Sequence, residues 1–496
     1  MKFRAIRPST EDLEGRNLLS GIVSGVDTQG DAWTLRVVGP GSIHVIKQPN
    51  SAGNGTALTA NTEIESITIA GTDPLHTRLI GNIKTAPGGD GKVFFQNFTE
   101  VANRRENGGG GNGLLSIDMP GFWLGLTAAT APTSTTGTEP SISIPDGTAT
   151  LRFGGVDTTA FFGTDPTKSL ANNNQSDTLR VNLGVPQYGG TRVVIDKSIA
   201  NSVAGTTSST GTQGNPTHDG VDFSVLGRLG IFQANEVVDN KAFPLGFFQS
   251  QGGTNVSAAN DTTLGVAGTI GEIRVGTNAT NFQVTSVDKI HQSFIGGETT
   301  NVSILAVNGS RNLLFGKGMD QTKILSHTIE SLQANRGAIG STVIVDRQIG
   351  SIQFGGDVVD TTIEAGYDQQ LATAFNNPAS APTPSPQVGG QIRVTVAGNV
   401  TNSVFASSYA PDSKGDFGTP DSFALPFGTI KGRIEGTIDN AIRTPDSPKT
   451  AFYAQKVILT KGAVVPPNVP EAPFQGPLTP RSLPGVPNPY YRFKKK

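Results

Sequence analysis

The chain has 496 residues, 38 Lys and Arg against 40 Asp and Glu for a formal net charge of -2, and no cysteine. That balance excludes the broad positive field by which a protein gathers nucleic acid or an anionic membrane, and the missing thiols exclude disulfides, thiolate metal sites and cysteine nucleophiles. With 63 Gly, 31 Pro and only 16 % charged residues, against about 25 % charged in a typical domain, the composition favours strands joined by tight corners over helices.

The first element, residues 1–20, opens with Lys2, Arg4 and Arg7 and breaks at Pro8, Glu11, Asp12 and Glu14. It lacks the apolar core of a usual signal peptide. Thr10 is placed to cap a helical turn, with Asp12 and Glu14 early in it and Leu13, Leu18 and Leu19 as its apolar residues. Such a turn suits a cap over the open end of a stacked sheet. No run approaches the roughly 20 apolar residues of a membrane helix, so no transmembrane segment is expected.

Residues 21–463 are expected to form one stack of coils. Gly21 to Gln48 alternates as short strands, in Trp33/Leu35/Val37 and again in Ile43/Val45, as a first coil or a small cap. An apolar-x-x-apolar-x-apolar figure then recurs at Ile64/Ile67/Ile69, Leu114/Ile117/Met119, Leu226/Leu229/Ile231, Ile270/Ile273/Val275, Val302/Leu305/Val307, Ile329/Leu332/Ala334 and Ile349/Ile352/Phe354. A partial copy follows at Ile392/Val394. Repetition near twenty residues, too short for a unit to bury its own inner face, is the mark of a solenoid in which each coil covers the edge of the last. The expected core ladder is therefore Ile273, Val275, Leu305, Val307, Leu332, Ile349, Ile352, Phe354, Ile392 and Val394.

Glycine-, Thr/Ser- or Pro-rich stretches near 103–113, 127–138, 205–214 and 369–388 read as loop insertions, which in repeat proteins gather on one side and serve binding. After the corners Gly355-Gly356-Asp357 and Ala397-Gly398-Asn399 come second short strands, Thr362-Ile363-Glu364 and Ser403-Val404-Phe405, each with an apolar centre. Ile430, Ile434, Ile438 and Ile442 are spaced like a helix, but Gly432, Gly436 and the β-branched side chains favour a last coil of strands. From 464 to 496 prolines recur to Pro489, giving an extended tail that ends in the basic run Arg492 to Lys496.

Chemistry is sparse. His44, His76, His218, His291 and His327 show no pair at helical zinc spacing. Gly163 to Ser169 resembles a phosphate loop but lacks the glycine before its lysine, and there is no Gly-x-Ser-x-Gly elbow. Gly88-Gly89-Asp90-Gly91 resembles a glycine-aspartate calcium turn, yet occurs once where that motif repeats; no cofactor is expected, with calcium as the one alternative. Asp357 and Asp360 are the candidate acids of a polysaccharide-cleaving solenoid, although aspartates at corners are commonly turn formers. Phe122-Trp123-Leu124 and the run Phe243 to Phe248, with Phe243, Phe247 and Phe248, read as lateral core or, where exposed, as self-association surfaces.

Leu13-Glu14-Gly15-Arg16-Asn17-Leu18-Leu19-Ser20 resembles the N-terminal motif Leu-Glu-x-Arg-x-Leu-Leu-Ser of planctomycete surface and extracellular proteins rich in β repeats. The resemblance implies a sorting role for Leu13, Glu14, Arg16, Leu18, Leu19 and Ser20 and a location at the cell surface or outside the cell. The expected fold is all-β, a right-handed parallel β-helix of roughly 20-residue coils with three short strands each, an N-terminal cap and a Pro-rich tail; its handedness and strand count are taken from known solenoids. The expected function is non-enzymatic and structural, with partners that are further copies of the chain or cell-envelope components. The alternatives are a polysaccharide-binding or polysaccharide-cleaving β-helix, against which 2 Trp and 6 Tyr give few stacking platforms, and a monomeric adhesin.

Overall fold

The computed structural model describes residues 21–47, 63–101, 113–125, 141–157, 179–187, 189–201, 221–239, 262–368, 385–410, 423–439, 450–461 and 490–494. Residues 1–20, with their cap and sorting motif, lie outside this set, as do His218, Phe243, Phe247, Phe248 and the phosphate-loop-like segment. Among the described residues there is no helix, and almost every strand belongs to one hydrogen-bonded system. The chain winds as a parallel β-solenoid with three strands per coil. The strands of successive coils pair in parallel into three ladders.

In the first ladder the inward residues run Ile67, Phe98, Ile142, Val181, Phe223, Leu264, Val284, Ile304, Ile324, Val343, Ile363, Phe405 and Phe452. The second runs Leu79, Ile117, Leu151, Val193, Phe232, Ile273, Ser293, Leu313, Leu332, Ile352, Val394, Gly432 and Leu459. The third includes Ile199, Val237, Ala279, Thr299, Met319, Ala338, Val358 and Val400. Rungs are about 4.8 Å apart in such a ladder, so each inward side chain rests on its equivalent above and below. One continuous apolar core results. The period is as read from the repeat: Ile290, Ser310, Ile329 and Ile349 stand in register, twenty, nineteen and twenty residues apart.

Ile273, Val275, Leu332, Ile349, Ile352, Phe354, Ile392 and Val394 all lie in this core. Leu305 and Val307 do not. Leu305 belongs to the strand Ser303–Ala306 of the first ladder, where Ile304 points inward, and it forms a separate small cluster with Leu325, Val287, Val307 and Ile344. The residues in register with Ile290 and Ile295 are Ser310 and Phe315, so the true figure of this coil is Ser310/Leu313/Phe315. The copy at Leu226/Leu229/Ile231 is also displaced: Leu226 is exposed, and Leu229/Phe232/Ala234 stand under Ile270/Ile273/Val275. Likewise Phe405, not Val404, faces Ile363.

Residues 22–47 are a cap rather than a first coil. Three strands, β1 (Ile22–Val26), β2 (Ala32–Val38) and β3 (Ser42–Lys47), pair antiparallel: β1 on β2, β2 on Arg78–Lys84 of the second ladder, and β3 on Ile64–Ala70 of the first. Their alternation puts Trp33, Leu35 and Val37 into the core, so the first coil meets a covered face instead of water. At the other end Tyr490–Lys494, past the last proline, pairs in parallel with Lys456–Lys461. The basic terminus thus enters the second ladder instead of trailing free.

The corner between the third and first ladders shows how the chain turns sharply in the described coils where no insertion leaves from it. Asn281, Asn301, Gln321, Asp360 and Asn402 all adopt left-handed backbone, with φ between 47 and 56°. Asn and Asp tolerate that region best among residues with a side chain. Asn301 Nδ2 donates to Asn281 Oδ1 at 2.6 Å, and Asn402 Nδ2 donates to Asp360 Oδ1. The next residues form a hydroxyl ladder, in which the amides of Thr322, Ser341, Thr361 and Ser403 donate to the hydroxyls of Ser341, Thr361, Ser403 and Thr450 one coil on. Asn301→Ala, which loses both the left-handed preference and the amide bond, is expected to destabilise by about 1–2 kcal/mol. Asn301→Gly keeps the backbone freedom and should cost less in urea unfolding; a larger cost for Gly than for Ala would remove this account of the corner.

Candidate functional site

Three surfaces and one set of buried acids are the places where the fold could meet a partner. The second ladder turns a mixed face outward, with Arg274 exposed, Phe294 and Leu314 half-buried on the next two coils, and Gln333, Gln353, Thr395 and Arg433 exposed on the four after them. Lower on this face Arg152 lies between Asp196, at 3.0 Å, and Asp118, at 3.4 Å. These carboxylates hold the guanidinium charged, Asp196 most strongly. The group is well exposed, so it contributes little to stability.

The corner from the second to the third ladder is short in the coils from Leu114 to Ile438, whereas the first coil makes it through the longer turn 85–92. Only two or three residues lie between the last inward residue of one strand and the first of the next, as in Phe153/Val156, Ile195/Ile199, Phe315/Met319 and Val396/Val400. By contrast the segments 126–140, 158–178, 202–220, 240–261 and 440–449 leave from the third-to-first corner, and 102–112, 369–384 and 411–422 from the first-to-second corner. All of them flank the first ladder.

In the coils from Thr285 to Tyr453 most outward side chains of that ladder are themselves shut off from water, whereas Thr99 and Asn182 in the earlier coils are exposed. Thr285, Leu305, Leu325, Glu364, Ala406 and Tyr453 are buried although their neighbours Val284, Ile304, Ile324, Ile363, Phe405 and Phe452 fill the core on the other side. Near Glu364 the cover is aromatic. Tyr367, Tyr409, Ala406 and Tyr453 form one cluster, the Tyr409 and Tyr453 rings are 4.9 Å apart, and the Tyr367 hydroxyl donates to the Tyr409 carbonyl. Burial pushes the Glu364 carboxyl up to about 7 and, together with the nearby Glu364 charge, raises the Tyr367 phenol well above its ordinary value.

Further carboxyls are buried near the cap. Glu100 accepts from the Thr72 hydroxyl at 2.9 Å, and burial, with Asp146 nearby, pushes it up to about 7. Asp27, Asp31 and Glu63 lie together where the β1–β2 turn meets the first coil. Sequence reading missed all of these, because a lone Glu at a strand end looks like a surface residue. The corner asparagines did carry a signal, their own twenty-residue spacing from Asn281 to Asn301.

The turn Gly88 to Gly91, read as the calcium alternative, is built around an anion. Asp31 accepts from the amides of Ala86 and Gly91, each at 2.7 Å, and a Cβ on Gly89 would lie 1.8 Å from Asp31 Oδ1. Among the described residues no three His, Asp or Glu side chains are grouped to hold a metal ion. Asp357 and Asp360 stand at the two ends of the strand Asp357–Val359. Asp357 accepts from the Asn399 amide at 2.6 Å and Asp360 is a left-handed corner residue, so both have structural work. His76 pairs with Asp73 at 3.2 Å within one turn, and His327 pairs with Asp346 of the next coil at 3.1 Å. Phe122 is in the core, and Trp123 is 7 % exposed with Lys92 Nζ 4.5 Å from its ring. They are packing residues of the lateral core, not an open patch.

These observations define the class: a three-sided parallel β-solenoid with an antiparallel N-terminal cap, hydrogen-bonded corners and one loop-bearing flank. No family model, no curated protein and no solved structure matches the chain. No helix of the described residues is long and apolar enough to cross a membrane.

Proposed function

We propose that this chain is a non-enzymatic structural protein of the cell surface or its exterior, a stiff rod that associates with further copies or with envelope components. The observation that carries the reading is the asymmetry of the coil. From Leu114 to Ile438 the second-to-third corner stays short while the insertions flank the first ladder, which separates a side that bears load from a side that varies. Stacked backbone hydrogen bonds and a continuous inward ladder supply stiffness, and corner amides resist unwinding. The surface location rests on the motif at Leu13 to Ser20, and so does the sorting role of those residues.

Light scattering across a concentration series, with negative-stain microscopy of the full chain, tests this directly. Filaments, rings or lattices built from elongated rods are expected. Dispersed monomers at every concentration with retained cell binding would favour the adhesin alternative. Turnover of an acidic polysaccharide that disappears on Asp357→Asn or Asp360→Asn would replace the structural reading with the enzymatic one.

A further inference from the structure

Besides the pairing of β2 and β3 and the burial of Trp33, Leu35 and Val37, the cap is tied to the body of the solenoid through carboxylates. The Thr28 hydroxyl in the β1–β2 turn donates to Glu63 Oε1 at 2.7 Å, and the Phe94 amide donates to Glu63 Oε2 at 3.0 Å. In the same turn Asp27 Oδ1 accepts from the amides of Gln29 at 2.9 Å and Asp31 at 2.7 Å, while Asp31 reaches across to the amides of Ala86 and Gly91. Asp27, Asp31 and Glu63 are at most 1 % exposed. Among the described residues none of them pairs with Lys, Arg or His.

One atom in this arrangement is out of place. Asp27 Oδ2 is shut off from water and has no hydrogen-bond partner, a state that costs free energy for a neutral oxygen and far more for a charged one. The amides of Gln29 and Asp31 both donate to the other oxygen, Asp27 Oδ1. The charges facing Asp27 are Asp31, Asp90 and Glu63, all of the same sign. Like-charged carboxyls in one buried site do not ionise together.

We infer that Asp27 and Glu63 hold one proton between them, so that the cap is a pH-dependent closure over the first edge of the solenoid. With the proton present, the pair carries a single negative charge and the β1–β2 turn seats against Glu63 and Phe94. When the proton leaves, two buried charges oppose each other across the seam between cap and body. The sign follows from the two states. Burial raises both carboxyls above their ordinary values; the Asp27 charge adds to it at Glu63, and Asp31 and Asp90 add to it at Asp27. The seated cap therefore binds more protons than the released one, and its seating is strong at acid pH and weakens as pH rises through the raised values. Release would uncover the edge of Arg78–Lys84, on which β2 lies, and an uncovered edge is a template for another strand.

Hydrogen exchange of the full chain, read by mass spectrometry on peptides from 21–47 and divided by the intrinsic rate at each pH, tests the inference. Protection of Ala32–Val38 is expected to fall at least ten-fold between pH 5 and pH 8, while protection of the strand Ile270–Val275, distant from the cap and from Glu364, stays constant. Glu63→Gln should abolish the fall. Asp27→Asn should do so as well, and if that variant fails to fold by far-UV circular dichroism, Glu63→Gln decides alone. An unchanged pH response in Glu63→Gln, or no response in the natural chain, would overturn the proton-sharing pair. So would full protection restored at pH 8 by 1 mM calcium chloride, which would make the pocket a cation site. Each outcome is read without reference to self-association, so failure here leaves the structural function standing.

Discussion

Replacing Phe405 with Ala is expected to destabilise the C-terminal coils by about 3–5 kcal/mol, the range for a fully buried Phe truncated to Ala. Phe405 is completely buried, lies in register between Ile363 below and Phe452 above, and stacks on the Phe452 ring at 4.7 Å with 9° between planes. Truncation removes the ring's own burial and the stacking contact together. It also leaves a void between two rungs whose backbones are pinned by parallel pairing, so the site has little freedom to collapse. In a solenoid each coil contacts only its neighbours, which makes the damage local. Exchange protection should be lost across Val404–Ser407 and Ala451–Ala454 and kept in Ile329–Ala334. A uniform loss over all coils would show that the rod unfolds as one cooperative unit.

The same nearest-neighbour logic decides what could be read from the chain alone. An inward slot repeats because each side chain must fit those above and below it, so Ile273, Leu332, Ile352 and Val394 announce a period that short strands could not. The reading slipped where the core itself departs from aliphatic. Ser293 and Ser310 occupy inward slots, are 1 % and 2 % exposed, and the Ser310 hydroxyl lies 3.3 Å from that of Ser326. In that coil the apolar figure is matched instead by Val302, Leu305 and Val307, because the outward side of the first ladder is also dry. An apolar pattern reports exclusion from water, not which side of the strand is excluded. The cap shows a second limit: Trp33/Leu35/Val37 alternate as any half-buried strand does, and nothing in that alternation says that β2 pairs antiparallel while the coils above it pair in parallel. The buried acids mark a third, since a carboxyl's environment is made by residues far along the chain, as Glu63 is by Thr28 and Phe94.

Glu364→Gln is expected to stabilise the protein at neutral and alkaline pH and to leave it nearly unchanged near pH 4. Glu364 is on the outward side of Thr362–Ala365 between Ile344 and Ala406, beside Tyr367 in the aromatic cluster of Tyr409 and Tyr453. Burial moves its carboxyl from an ordinary 4.5 to about 7. A raised acid is protonated in the folded chain over a pH range where the unfolded chain has already ionised. Stability is therefore unaffected below about pH 4, falls as pH rises from there to about 7, and then stays at the lower level. At 1.36 kcal/mol per unit, the full difference is about 3 kcal/mol. Glutamine keeps the shape of the neutral acid and has no charge to bury, so the variant should run level with the natural chain in acid and above it by up to that amount at pH 8. Part of the slope will remain in the variant, because Glu100 is pushed up to about 7 as well and Glu63 and Asp27 are raised. Urea unfolding at pH 4, 6 and 8 followed by circular dichroism separates the contributions. A variant less stable than the natural chain at pH 8 would mean that the Glu364 charge is compensated where it lies, and that the cover over the first ladder holds a cation close to it.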